Sequence, residues 1–229
     1  MTFHVFTIFP EAMNSYFNVS ILARAQKNKK IKIKIYDIRK FTKDKHKRTD
    51  EKPFGGGAGM VMKVEPIVRA VNSAIKKTKK KNFKYKTILL SAKGKQFNQK
   101  IAHNYSNKFT DIFLICGRYE GVDERVKKIL KAEEMSIGPY VLTDGEVAAM
   151  AIVSSVARLV PGVIRLESLQ EESHWNLMLA KERGGWLEYP HYTRPEVFEH
   201  NGKKYRTPKV LLSGNHKKIA EWRKKNSKS

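Results

Sequence analysis

The chain has 229 residues, enough for one sizeable core and a small appended domain. Its 46 Lys and Arg stand against 22 Asp and Glu, a formal net charge of +24, which favours a polyanionic partner, nucleic acid before a membrane surface or an acidic protein. Cys116 is the only cysteine and the seven His are scattered, so an intramolecular disulfide and a Cys/His metal cluster are excluded and a reducing compartment, the cytoplasm, is expected. No apolar run approaches the length of a membrane span.

Thr2 to Phe9 is a β-branched and aromatic run stopped by Pro10, which predicts a core strand rather than a signal peptide. Ala12 to Gln26 has helical spacing, and Ile31, Ile33 and Ile35 alternate with Lys32 and Lys34, a strand with one wet basic face. Residues 39 to 60 hold many charges and then many glycines, so a long loop is expected. Val64 to Lys77 reads as a helix leading into the lysine-rich stretch Lys76 to Lys86, which is expected to be a solvated connection. Apolar strands at Thr87 to Ser91 and Asp111 to Cys116 flank a helix around Gln96 to Tyr105. Strands apolar throughout, separated by helices, predict a parallel sheet covered on both faces. A short helix at Gly121 to Leu130, a strand with a turn at Glu134 to Leu142 and an apolar helix at Gly145 to Val160 follow. The expected division is an α/β domain over 1–162, a linker over 163–187 and a small basic domain over 188–229, mostly helical, with its last helix at about Asn215 to Lys225.

Three glycine-bearing segments stand at the ends of predicted strands, where α/β sheets place ligands. They are PFGGGAGM (Pro53 to Met60), LICGRYEGVDERV (Leu114 to Val126) and SIGPYVLTDGE (Ser136 to Glu146). Each reads either as an ordinary turn or as backbone arranged against a ligand. Neither a GxGxxG after a first strand nor a phosphate-binding GxxxxGK[ST] is present, which removes the main support for dinucleotide binding and nucleotide hydrolysis.

The strings FGGGAGM, ICGRYEGVDERV, SIGPYVLTDGE, YPHYTRPEVFE and LLSGNHKKIAEWR, in this order, closely resemble the bacterial tRNA (guanine-N1)-methyltransferase family, TrmD, from about Phe3 to Arg223. The resemblance implies a SPOUT-class α/β domain whose parallel sheet ends in a deep trefoil knot, an exception to the rule against threaded chains. It further implies a linker, a C-terminal tRNA-binding domain that is shortened here, and a homodimer with its active site between subunits. The implied reaction moves a methyl group from S-adenosylmethionine to N1 of the guanosine at tRNA position 37, with Mg2+ as a family requirement and no metal ligands assigned in this chain. Carried over by motif, the donor would be held by Leu90, Ser91, Gly117, Tyr119, Glu120, Gly121, Ser136, Ile137, Gly138, Pro139, Tyr140, Val141, Leu142 and Gly145. Arg158 matches the arginine placed beside the target base, and Arg118, Glu188, His191, Thr193 and Arg194 match positions on the tRNA side.

Guanine N1 carries a proton at neutral pH, so methylation there needs a positioned general base and a cationic donor at O6 as charge moves onto that oxygen. Arg158 is the expected donor. The family's base is an aspartate in the linker, yet Leu166 to Asn176, LESLQEESHWN, contains none. Glu172 before Ser173 is the expected substitute, with Glu171 as the alternative. Further departures are the extra residues HWNLMLAKERGGW before the YPHYTRP motif, Asp144 in place of a glycine and Ala148 in place of a proline. Two other readings remain open at this point: an RNA-binding module on a degraded methyltransferase scaffold, and a related knotted methyltransferase acting on ribosomal RNA.

Overall fold

A computed structural model describes residues 1–78, 82–165, 168–169 and 188–227. It divides into two units, Met1–Ile164 and Arg165–Ser229. Expectations for Glu171 and Glu172 lie outside the described residues.

The first unit is built on a five-stranded sheet in the order β2-β1-β6-β5-β7, every pairing parallel. Its strands are β1 (Thr2–Thr7), β2 (Lys32–Asp37), β5 (Tyr85–Gln96), β6 (Asp111–Ile115) and β7 (Glu133–Ser136). Every residue of β1 and of β6 is buried, which is why neither alternates in polarity: each faces a helix layer on both sides. β2 closes one edge, where the alternation of Ile and Lys has its physical reason. A two-stranded antiparallel pair, β3 (Asp50–Glu51) with β4 (Val61–Met62), brackets the long glycine-bearing loop.

Helix α3 (Val64–Lys77) lays Ile67, Ala70, Val71 and Ala74 on Phe6, Leu89, Phe113 and Ile115, the i, i+3, i+4, i+7 face expected of a surface helix. It neighbours α5 (Glu124–Leu130), while α4 (Gln99–Lys108) neighbours α6 (Gly145–Ala157), so the two helix pairs flank the sheet. The buried polar side chain of His4 is satisfied rather than stranded: Nε2 lies 3.0 Å from Asp111 Oδ1, Nδ1 lies 3.0 Å from the Tyr36 hydroxyl, and its ring stacks on Phe113 at 4.3 Å.

The structure departs from the sequence expectation in several places. The helix expected over Ala12 to Gln26 is three short pieces, a 3-10 turn at Pro10–Met13, α1 at Asn14–Phe17 and α2 at Ser20–Lys27. Val19 is extended and Ser20 has φ 51°, and this breaks the helical run. α5 begins at Glu124 rather than Gly121, because the Asp123 carboxylate accepts the Arg125 N–H at 2.9 Å and caps it there.

The second unit contains an antiparallel hairpin, β8 (Val197–His200) with β9 (Lys203–Arg206), then α7 (Lys209–Leu212) and α8 (His216–Asn226). "Mostly helical" was therefore an incomplete expectation. The missed signal is Asn201-Gly202, with φ of 48° and 70°, the residue pair that a tight two-residue hairpin turn demands. Tyr192 meets Trp222 edge to face at 6.2 Å, and the Arg223 guanidinium lies 4.7 Å from the Tyr189 ring centroid.

Candidate active site

The chain leaves β5 for β6 on one side and later places β7 on the other, so the carboxyl ends of these strands sit where successive connections diverge and a crevice opens. Three irregular segments line it, each with a local cause.

The first lies within β5. Leu90 and Lys95 both pair with Met135, so Ser91 to Gly94 bulge out of the ladder before pairing resumes. Gly94 makes this possible: a Cβ there would stand 2.4 Å from the Met135 backbone nitrogen. The second follows β6. Tyr119 and Gly121 take positive φ, 59° and 127°, and the resulting hook is tied to the glycine-rich loop by Glu120 N–H to Met60 O at 3.0 Å and Met62 N–H to Gly121 O at 2.9 Å. Gly59 lies against it, since a Cβ there would fall 2.5 Å from Glu120 Oε1. At the far end of the same loop Gly55 and Gly56 face open space, and Phe54 is 99 % exposed.

The third follows β7. Ser136 Oγ donates to Gly138 O at 2.8 Å, and the chain then runs to α6, whose amino end is capped by Asp144 accepting the Val147 N–H at 3.1 Å. Gly145 N–H donates to Gly117 O at 3.0 Å. A Cβ on Gly145 would come within 2.7 Å of Gly117 N and 2.8 Å of Cys116 Cα, so two backbones touch where a side chain would hold them apart.

These segments enclose a cavity of about 440 Å3, within the range of small-molecule sites. Every residue expected to hold the donor lines it except Gly138 and Pro139. Gly138 serves differently, by leaving room for the Tyr140 ring, which would meet a Cβ at 2.2 Å. Gly117 and Gly145, from segments separated in sequence, thus share one wall.

Arg118, expected on the tRNA side, also lines the cavity. Its Nε donates to Glu146 Oε2 at 3.1 Å, its Nη2 lies 3.8 Å from Asp144 Oδ2, and its guanidinium carbon is 4.6 Å from the Phe9 ring centroid. Glu146 is 2 % exposed, and Thr7 Oγ1 donates to its Oε1. Burial pushes the Glu146 carboxyl above its ordinary value against the pull of Thr7 and Arg118. Asp144 is held low: burial opposes its charge, but the Val147 N–H, the Thr143 hydroxyl and Arg118 outweigh that. Burial, then the Glu146 and Asp144 charges, push the Cys116 thiol well up. The sequence reading missed Glu146, Thr7 and the bulge residues Ala92 and Lys93. An available signal was the DGE string, whose Glu is the one charged residue of a mostly apolar helix and falls in its first turn.

The remaining expected residues lie elsewhere. Arg158 caps the carboxyl end of α6 and is not among the cavity's lining residues. At 1.5 Å per residue it sits about 20 Å along the helix axis from Gly145. Glu188, His191, Thr193 and Arg194 are exposed in the second unit, with Glu188 Oε2 3.5 Å from His191 Nε2. Among the described residues no three His, Cys, Asp or Glu side chains gather as a metal site, so they offer no protein cage for the Mg2+ ion that the resemblance implies, an ion that also binds through one or two carboxylates and substrate phosphates.

The family model described as tRNA (Guanine-1)-methyltransferase TrmD matches residues 1–229. A tRNA (guanine-N(1)-)-methyltransferase of Carboxydothermus hydrogenoformans is 50 % identical over 227 residues, covering 99 % of this chain and 83 % of the relative. Proteins of the same name from Dictyoglomus turgidum and Clostridioides difficile are 52 % and 48 % identical, covering 97 % and 99 % of this chain and 83 % and 92 % of those relatives. By this match along its whole length, the chain belongs to the TrmD family of tRNA (guanine-1)-methyltransferases.

Proposed function

We propose that this protein transfers the methyl group of S-adenosylmethionine to N1 of guanosine 37 in tRNA. The observation that carries this reading is the convergence of three backbone turns, after Leu90, Cys116 and Met135, on one cavity whose lining mixes apolar residues such as Leu90, Ile137 and Leu142 with polar and charged ones such as Ser91, Arg118 and Glu134. Such a lining suits a ligand that is part heterocycle and part charged amino acid. S-adenosylmethionine supplies, when bound, an electrophilic methyl group on a sulfonium.

The rest falls to side chains. Glu172, or Glu171 beside it, takes the proton from guanine N1 and so frees the lone pair that attacks the methyl carbon. Arg158 donates to O6, where negative charge gathers as that proton leaves. Arg118, Glu188, His191, Thr193 and Arg194 hold the RNA, helped by the charge of +24.

The enzyme acts as a homodimer in this reading. Arg158 and the cavity occupy opposite ends of α6, so one protomer's Arg158 serves its partner's cavity more readily than its own. Exposed Phe9, Tyr16, Val19 and Ile21 adjoin the amino-terminal turn that neighbours α6, and Val147 on α6 itself is 44 % exposed; an apolar patch of this kind marks a contact with another chain. The carboxyl-terminal part of the first unit is read as the trefoil knot, a reading supported by the backbone contact of Gly145 with Cys116 and Gly117. No described helix is long and apolar enough to cross a membrane. The cytoplasm, where tRNA is, is the proposed location.

The test is methyl transfer to a tRNA transcript bearing guanine at position 37, followed by nuclease digestion. N1-methylguanosine is expected, and its absence, or its presence in a transcript with adenine at that position, rejects the reading. Turnover also separates it from a purely RNA-binding role.

A further inference from the structure

We propose that Glu146 is a positioning residue that fixes the Arg118 guanidinium on the wall of the cavity for an anionic group of the RNA, a role that rests on the function proposed above.

A carboxylate at 2 % exposure has lost nearly all its water, and such a group persists only where its lone pairs are met. Both oxygens of Glu146 are met, from opposite sides. Thr7 Oγ1 donates to Oε1, and Thr7 itself is held from β1 because the Phe9 N–H donates to its hydroxyl at 2.8 Å. Arg118 Nε donates to Oε2 at 3.1 Å. The first turn of α6, the end of β1 and the hook after β6 are thereby joined through one buried side chain.

The consequence falls on Arg118. Its Nε is held by Glu146, one terminal nitrogen is 3.8 Å from Asp144, and Phe9 covers the plane of the guanidinium at 4.6 Å. An arginine side chain ordinarily loses much rotamer freedom when it grips a ligand. Here that loss is largely incurred before any ligand arrives, leaving a planar cation on the cavity wall with its side chain still 22 % exposed. A fork of N–H donors so fixed suits the oxygens of a phosphate. Replacing Glu146 would free the guanidinium rather than strand it, because the Arg118 side chain is 22 % exposed and can keep its water.

The test compares wild type, Glu146→Gln, Arg118→Ala, the double variant Glu146→Gln/Arg118→Ala, Thr7→Val and Thr7→Ser. Gln keeps the shape but loses one acceptor. For Glu146→Gln, kcat/KM for tRNA is expected to fall about tenfold or more, S-adenosylhomocysteine affinity by calorimetry to stay within about twofold, and the melting temperature to hold or rise. The double variant should be no worse than Arg118→Ala, since the two act as a unit. Thr7→Val should show a smaller loss that Thr7→Ser restores. Activity of Glu146→Gln within about twofold of wild type overturns the proposal, as does a loss that travels with a lower melting temperature and weaker S-adenosylhomocysteine binding, or additive losses in the double variant. Should the wild type make no N1-methylguanosine, the proposed function fails instead; binding of tRNA to the same variants, measured directly, still decides whether Glu146 acts through Arg118.

Discussion

At the scale of single residues, contacts too close for a side chain do most to shape the cavity. Gly94→Ala places a Cβ 2.4 Å from Met135 N, against backbone that cannot step aside. The variant should lose about 1–3 kcal/mol of stability, as overpacking does, and bind S-adenosylhomocysteine more weakly, as read by thermal unfolding and calorimetry. Two carboxylates respond to pH with opposite sign. Glu133 is held low: burial opposes its charge, but Lys86 at 2.6 Å and the Tyr105 hydroxyl at 3.2 Å prevail. Its contribution is thus present above the ordinary value of 4.5 and lost as pH falls through the lowered one. Glu146, raised, favours the folded state below 4.5 and loses that contribution as pH rises through its folded value. Melting curves between about pH 3 and about pH 8 should show a shallower acid loss for Glu133→Gln and a shallower loss on the alkaline side for Glu146→Gln.

At the scale of elements, Asp144→Ala removes the cap of α6 and one neighbour of Arg118. About 1 kcal/mol of stability should go with the cap, and tRNA turnover should fall further than that loss explains. What the sequence made legible follows from what a linear pattern records. The buried strands β1 and β6 and helix α3 announce themselves because their burial is continuous or periodic. The cavity wall was readable as a candidate donor site only by likeness to a family, since its residues converge from three segments and no period spans them. The bulge in β5 was hidden because Ser91 to Gly94 leave the ladder, which resumes only at Lys95, so the apolar pattern gives an early strand end. Glu146 was hidden for a related reason: Thr7, its partner, is 139 residues away. The hairpin at Asn201-Gly202 was legible in principle, and the surrounding lysines and histidine obscured its alternation.

At the scale of the whole molecule, the excess of basic residues predicts that tRNA affinity falls by about a thousandfold or more between about 50 and 200 mM salt, while affinity for the zwitterionic, net-neutral product S-adenosylhomocysteine changes little; filter binding and calorimetry check the pair. The proposed sharing of the site between subunits predicts complementation. Arg158→Ala and Gly117→Val, the latter filling the cavity wall beside Leu90 O at 3.1 Å, should each be nearly inactive alone. Mixed and allowed to exchange subunits, half the dimers carry one intact site of two, so about a quarter of wild-type activity should return. No recovery would place Arg158 and the cavity that it serves on the same chain.

The lone thiol of Cys116, wholly enclosed and disfavoured as a thiolate, gives this protein a chemically silent background. Maleimide dyes should leave the native form unlabelled and mark one site per chain after denaturation. A cysteine introduced at an exposed position such as Ser213 would then be the sole handle for a fluorophore, and the arrival of RNA could be followed in real time without first removing the natural thiol.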